Sequence, residues 1–365
     1  MYHLSNIKIV LNPTERQHLL LTGKNGSGKT ALLVKIEKYL KSINDGQLID
    51  LPEKYYDGIQ IVLNESDGIK QAYKNGDFIT AFFPAERRAR FTITNGVKDL
   101  KPQDGYRIHG DARNVLLKYM VHLKTQQAYA RNEGMSGIVQ KIQQWFDRFE
   151  KALQILLDEK SIHLEYDYKN YNFKIKQDNR EPFSFNELSA GYSSIIYIVS
   201  ELLLRMDSNW LQGESLSKCD YQGIVLIDEI EKHLHIELQK RILPFLTEFF
   251  PNIQFIVTTY SPYILNSISN AKAYDLERQI EKDNLSEFSS ENLAEGYFAV
   301  DGYSDELKKS LKRYEELCLK KKLNEEECKE RVDLKIRFKN MYSELSGVAK
   351  EMFEGIEQRG INDKN

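Results

Sequence analysis

Eight residues near the N-terminus, Gly23-Lys24-Asn25-Gly26-Ser27-Gly28-Lys29-Thr30, have the spacing G-x-x-x-x-G-K-T. That spacing is suited to holding phosphate. The glycines let the backbone curl so that its N–H groups face inward at anionic oxygens. Lys29 would meet the β- and γ-phosphates, and the Thr30 hydroxyl would reach Mg2+. The flanks fit the chemistry. "HLLLTG" reads as a strand running in, and "KTALLVKIEKYLKSI" has apolar residues at helical spacing running out. The loop therefore sits at a helix N-terminus, where the dipole favours an anion. A chance glycine-rich turn would need neither flank.

A second cluster ends another strand. "GIVLIDE" places four apolar residues, Ile224 to Ile227, before Asp228 and Glu229. A buried strand would deliver both carboxylates to the C-terminal edge of a sheet, where open α/β sheets bind ligands. Asp228 would hold Mg2+, and Glu229 would act as general base toward a water. An acidic pair after a strand is often a solvated turn; following a phosphate loop, it becomes catalytic in character. A third stretch, "FNELSAGYSS", puts Ser189-Ala190-Gly191 at a predicted helix start. It offers a hydroxyl and free backbone N–H groups to an anion. The plain alternative is that Ser189 only caps its own helix. Two anion sites in one chain imply a two-subunit sandwich, in which this helix tip covers nucleotide held by the partner.

Other residues leave alternatives open. Arg87, Arg88 and Arg90 in "FFPAERRAR" could touch phosphate or a nucleic-acid backbone, or form a solvated basic turn. His233 and His235 are two apart and lack nearby partners for a metal. Trp145 and Phe146 lie on an amphipathic segment, as core or as interface.

The elements that must position these groups alternate between strand and helix. "NIKIVLN", "HLLLTG", "GIQIVLNES", "DFITAFF", "GIVLIDE", "QFIVTT" and "KAYDLE" read as strands. Helices separate many of them, which implies an α/β fold with a doubly wound, mainly parallel sheet. The reading divides the chain into an N-terminal part of the core (1–110), a helical insertion (111–158), a C-terminal part of the core (159–300) and a helical tail (301–365). A hairpin, "SIHLEYDYKNYNFKIKQD", follows the insertion. The tail is rich in charge of both signs, as a solvent-facing helical pair or as a docking element. Its "VDLKIRF" alternates with period two, which leaves its helical state open.

The bulk numbers are those of a globular protein. Of 365 residues, 41% are hydrophobic and 29% charged, with a formal net charge of -3, so no global basic field advertises nucleic acid. Three scattered cysteines form neither a disulfide framework nor a zinc pattern. With no signal-like N-terminus and no long apolar run, a reducing cytoplasm is expected and a membrane is not.

Together, the motifs resemble those of ABC-type P-loop ATPase heads. "LSAGYSS" is similar to the signature LSGGQ, departing at Ala190 and Tyr192. "IDEIEKHLH" and "FIVTTYSP" look like the variants of the RecF, OLD and Rad50-related branch, most of all the PtuA-type ATPase subunits of Septu and retron-associated anti-phage systems. The resemblance implies ATP and Mg2+ as ligands, with Gly23 to Thr30 and Ser189 to Gly191 as the two halves of a composite site. It implies a homodimer or higher homo-oligomer, a separate HNH-type nuclease subunit, and DNA as a further partner. A RecF-like repair clamp and a nucleotide-bound scaffold with negligible turnover are the alternatives. Tyr260 stands where the branch usually has a histidine on the γ-phosphate. A phenol brings no positive charge at neutral pH, so slow hydrolysis is expected.

Overall fold

The computed structural model describes residues 7–44, 59–62, 68–69, 71–72, 78–87, 91–93, 96, 116–207, 221–298, 305–320, 322–342 and 347–362. It forms two compact units, Met1–Ser290 and Glu291–Asn365.

The first unit is built on a six-stranded sheet. Its strands are β1 (His18–Thr22), β2 (Phe78–Phe83), β6 (Gln222–Ile227), β7 (Ile253–Thr258), β8 (Ala271–Asp275) and β9 (Ile280–Asp283), in the order β2-β6-β7-β1-β8-β9. The first five run parallel, with Leu19 opposite Ile256 and Leu20 opposite Ala273; only β9 turns back along β8. β1 and β6 are apolar on both faces and buried almost throughout, as expected for parallel strands covered on both sides. Helix α1 (Lys29–Asn44) covers one face: Leu33, Ile36 and Leu40 pack with Leu19, Leu21, Ile224, Leu226 and Ile256. Each such leucine or isoleucine is worth about 1.5–3 kcal/mol when fully buried. Because β1, β6 and β7 are parallel, their C-terminal ends share one edge. Residues 23–30, 228–235 and 259–261 therefore emerge side by side.

Helices α2 (Leu116–Asn132) and α3 (Ser136–Leu157) lie in the stretch read as an insertion. Trp145, Phe146 and Phe149 of α3 are buried; Trp145 meets Tyr119 edge to face, and Phe146 and Phe149 stack with Phe173 and Phe185. Trp145 and Phe146 are thus core of this chain. The expected hairpin is present as β3 (His163–Asp167) and β4 (Asn172–Gln177), and a strand that the sequence reading missed, β5 (Arg180–Phe183), extends it to three. Next comes α4 (Ala190–Asp207). Its buried Arg205 holds Glu201 one turn back and donates to the Thr80 carbonyl of β2 at 2.9 Å. Helices α5 (Ile236–Phe249) and α6 (Pro262–Leu265) follow β6 and β7.

One strand expectation fails. Residues 7–12 of "NIKIVLN" join no strand of the described sheets. Ile7, Ile9 and Leu11 nevertheless pack against the same core cluster, so their alternation reports one-sided burial without strand pairing. Of "GIQIVLNES", only residues 59–62 are described.

The second unit holds all but the first residue of α7 (Ser290–Phe298), together with α8 (Asp305–Leu319), α9 (Glu325–Asn340) and α10 (Gly347–Asn362). Leu311, Tyr314, Phe338, Phe353 and Ile356 form its core. "VDLKIRF" lies inside α9 and is helical. A capping box between Asn324 and Glu327 starts that helix, acidic residues fill its first turn, and Arg337 and Lys339 lie in its last. These local signals override the period-two pattern.

Candidate nucleotide site

The loop from Gly23 to Thr30 joins β1 directly to α1. Gly23, Gly26 and Gly28 have φ of 129°, 85° and 95°, in the region that side chains disfavour. Gly23 is also tightly surrounded: a Cβ there would lie 2.9 Å from Ser27 Oγ and 3.2 Å from Asp275 Oδ1. Lys29 is buried and its amine donates to the carbonyls of Gly23 (2.6 Å) and Lys24 (3.0 Å), which fixes its charge over the loop. Burial holds the Lys29 amine below the usual lysine range, opposed by Glu231, Glu229, Asp228 and Asp275. Lys24 points its amine elsewhere, to Glu277 at 3.0 Å, so it serves the loop through its backbone. Asn25 and Gly26 are exposed at the crest.

Asp228 and Glu229 follow β6, as the sequence reading expects. The Thr30 hydroxyl lies 3.1 and 3.0 Å from the two Asp228 carboxylate oxygens. Residues 198 positions apart thus meet at one point beside the loop. Thr258, at the end of β7, donates its hydroxyl to Asp228 at 2.6 Å and accepts the Glu229 N–H at 2.7 Å. Glu229 has φ 44° and a half-exposed carboxylate 3.4 Å from the Lys232 amine, which also binds Glu86 at 2.7 Å.

Tyr260 follows β7, is 39% exposed, and donates its N–H to the Glu231 carboxylate at 2.7 Å. Burial holds the Glu231 carboxyl above the usual carboxylate range. Ser189 and Ala190 are exposed at the head of α4, whereas Gly191 is buried. A Cβ on Gly191 would lie 2.8 Å from the carbonyl oxygen of His233, so α4 starts hard against the loop that follows the acid pair. His233 and His235 are exposed on that loop. Among the described residues, no group of three or more His, Cys, Asp or Glu side chains is placed to hold a metal ion.

Arg87 is where sequence reasoning fell short. It is 1% exposed, neither a solvated turn nor a surface phosphate ligand. Its guanidinium binds Ser194 of α4 and the backbone carbonyls that follow β6. Glu86 beside it faces solvent and pairs with Lys232. Arg88 and Arg90 lie outside the described residues. Thr258 and Glu231 were also missed. The usable signal was a polar residue at the end of an otherwise apolar strand for the first, and a second acid two residues after the pair for the other.

Residues 65–266 match the family described as "AAA domain, putative AbiEii toxin, Type IV TA system". The chain belongs to that family. The match of this AAA-family chain takes in the signature stretch, the acid pair and Tyr260. A "Septu protein PtuA" of Bacillus mycoides is 26% identical over 280 residues, 73% of this chain and 37% of the relative. A "Retron Ec83 probable ATPase" of Escherichia coli is 38% identical over 103 residues, 28% of this chain and 19% of the relative. The chain thus spans well under half the length of either curated relative. A solved SMC head bound to the C-winged helix domain of ScpA aligns with a TM-score of 0.41 at 11% identity, over 75% of this chain and 92% of that one. PtuA and retron ATPases are thus among the relatives of this AAA-family chain. Among the described residues, no helix is long and apolar enough to cross a membrane.

Proposed function

We propose that this chain is the ATP-binding, slowly hydrolysing regulatory subunit of a bacterial anti-phage complex that works with a separate nuclease subunit. The meeting of Thr30 and Asp228 beside the Lys29 cradle carries the ATPase part of this reading. The relatives named for Septu and retron systems support the defence part.

The cradle binds the β- and γ-phosphates through its backbone N–H groups and the Lys29 amine. Thr30 and Asp228 would hold Mg2+, and their hard oxygen donors, buttressed by Thr258, fit that ion. When bound, the ion neutralises phosphate charge. Glu229 takes a proton from water as the water oxygen attacks the γ-phosphorus, and the bond to the bridging oxygen breaks to release ADP and phosphate. Lys232 competes for the Glu229 carboxylate, and Tyr260 supplies no cation at the γ-phosphate; both slow the step. Ser189, Ala190 and Gly191 of a second copy cap the same nucleotide, so two copies enclose two ATP molecules. The compartment is the cytoplasm, and the assembly senses nucleotide or phage DNA.

The test is phage plating on cells that express the chain together with the products of its neighbouring genes. Protection that disappears with Lys29→Ala is the expected result. Protection unchanged in that variant would remove ATP from the mechanism, and its absence in the wild type would remove defence.

A further inference from the structure

Arg87 follows β2 by a short turn, and every donor on its guanidinium is in use. Nε donates to Ser194 Oγ at 3.1 Å. One terminal nitrogen donates to the carbonyls of Pro84, at 3.1 Å, and Asp228. The other donates to the carbonyls of Glu229, at 2.9 Å, and Ile230, at 3.3 Å. An arginine has five N–H donors, and here they meet five acceptors. Three of these are successive carbonyls of the acid loop, and one is a hydroxyl on α4.

Burial of a charge is costly unless its donors are met. Here it pushes the guanidinium down to about 10, opposed by Glu231, Asp228 and Glu229, and the group stays cationic at neutral pH. A lysine could not replace it, because three donors on a flexible stem cannot span five acceptors in a plane. Nearby, Gly191 passes so close to the His233 carbonyl that a Cβ there would lie 2.8 Å from its oxygen. The start of α4 and the acid loop are therefore joined at two points, one of contact and one of hydrogen bonding.

We propose that Arg87 is a positioning residue that makes the signature helix α4 and the acid loop 228–230 move as one body, and so couples the two nucleotide sites of a dimer. The proposal rests on the composite-site reading above. In that reading, the head of α4 faces nucleotide held by the partner copy, while Glu229 serves nucleotide held by its own. Closure of α4 on the partner's ATP pulls Ser194, and Arg87 passes the displacement to the carbonyls on either side of the Glu229 side chain. Glu229 already has a left-handed backbone, so a small shift there re-aims its carboxylate. The Arg87 donors are all met by protein acceptors. It acts through Glu229.

The test compares wild type, Ser194→Ala and Arg87→Lys as full-length chains. Three readouts are taken: ATP-driven dimerisation by light scattering, nucleotide affinity by thermal shift with Mg-ATP, and hydrolysis against ATP concentration. Ser194→Ala removes the hydrogen bond from Arg87 to α4 and leaves every acid-loop contact, so it keeps the test valid if Arg87→Lys does not fold. For Ser194→Ala, the expected result is affinity within about 3-fold of wild type and kcat about 10-fold lower. Its dependence on ATP concentration should lose the cooperativity of the wild type. A merely structural role would lower the melting temperature and leave cooperativity intact. Wild-type dimerisation and cooperativity with an unchanged Ser194→Ala profile would overturn the coupling alone. A wild type that neither dimerises with ATP nor responds cooperatively would overturn the composite-site reading, and the coupling with it.

Discussion

The proposed phosphate cradle and the acid loop lie side by side, yet they are held in opposite ways. The cradle is local. Three glycines with positive φ, a lysine folded onto carbonyls five and six residues back, and the first turn of α1 all fall within Gly23 to Leu32. The acid loop is held from afar. Phe83 accepts its Asp228 N–H, Arg87 binds three of its carbonyls, and Thr258 bonds both Asp228 and Glu229. A locally held element reports its own shape in its sequence. One held by distant residues depends on a fold that must already exist.

The largest expected effect breaks the cradle. Lys29→Ala removes the charge proposed to meet the phosphates. Thermal stabilisation by Mg-ATP should vanish, and a variant that keeps it would overturn the assignment of residues 23–30. On the acid-loop side, Tyr260→His should raise hydrolysis by about 10²-fold, the usual worth of one positioned donor, with little change in ATP affinity. Glu229→Gln should abolish what activity there is, and single-turnover rates check both. Fast turnover in the wild type, or no gain in the histidine variant, would show that Tyr260 is not limiting. A mixture of Lys29→Ala and Ser189→Arg chains joins the two regions across a dimer. Each is inactive alone, and proven mixed dimers should regain activity through one intact composite site. If they stay inactive, the sandwich arrangement is wrong.

This contrast decides how much of the molecule could be read in advance. The glycine loop between strand and helix, the place of Asp228 and Glu229 at a strand end, the mainly parallel sheet and the hairpin were legible, because periodicity and short motifs encode them. Arg87 was not. Beside Arg88 and Arg90 it reads as one of three surface cations, and only the placement of β6 and α4 around it shows that it is core. Thr258 likewise looks like any β-branched strand residue until Asp228 arrives beside it. "NIKIVLN" misled for the converse reason: alternation records which residues are buried, not whether a neighbouring strand pairs.

Two smaller effects sharpen the comparison. His18 begins the strand that feeds the cradle. Its ring accepts the Phe255 N–H through Nδ1 at 3.0 Å, which requires the neutral form. Burial, helped by Arg16, lowers it from 6.5 to about 4. The folded chain therefore binds fewer protons at this site than the unfolded chain between those pH values. The stability it protects is complete above pH 6.5, falls as the pH drops toward 4, and is flat below. The loss should be on the order of 3 kcal/mol from the free-energy equivalent of such a shift. Denaturant melts at pH 7 and pH 4.5 check it, and His18→Asn should lack that part of the slope. Thr258→Val keeps the shape and removes the hydroxyl. It leaves the Glu229 N–H without its acceptor and should cost about 1–3 kcal/mol, read in the same melts.

The position of β1 in the sheet also governs when a ribosome can release a working molecule. β1 is made first, but it lies between β7 and β8, with Leu19 beside Ile256 and Leu20 beside Ala273. Roughly 240 residues must be synthesised before its first neighbour exists, which takes about 12–50 s at ordinary elongation speeds. Through that interval an apolar strand waits unpaired, with its phosphate loop attached, and no local contact can substitute for the missing partners. Nascent chains stalled before β7 should therefore fail to bind ATP, although the whole of the loop has already been translated.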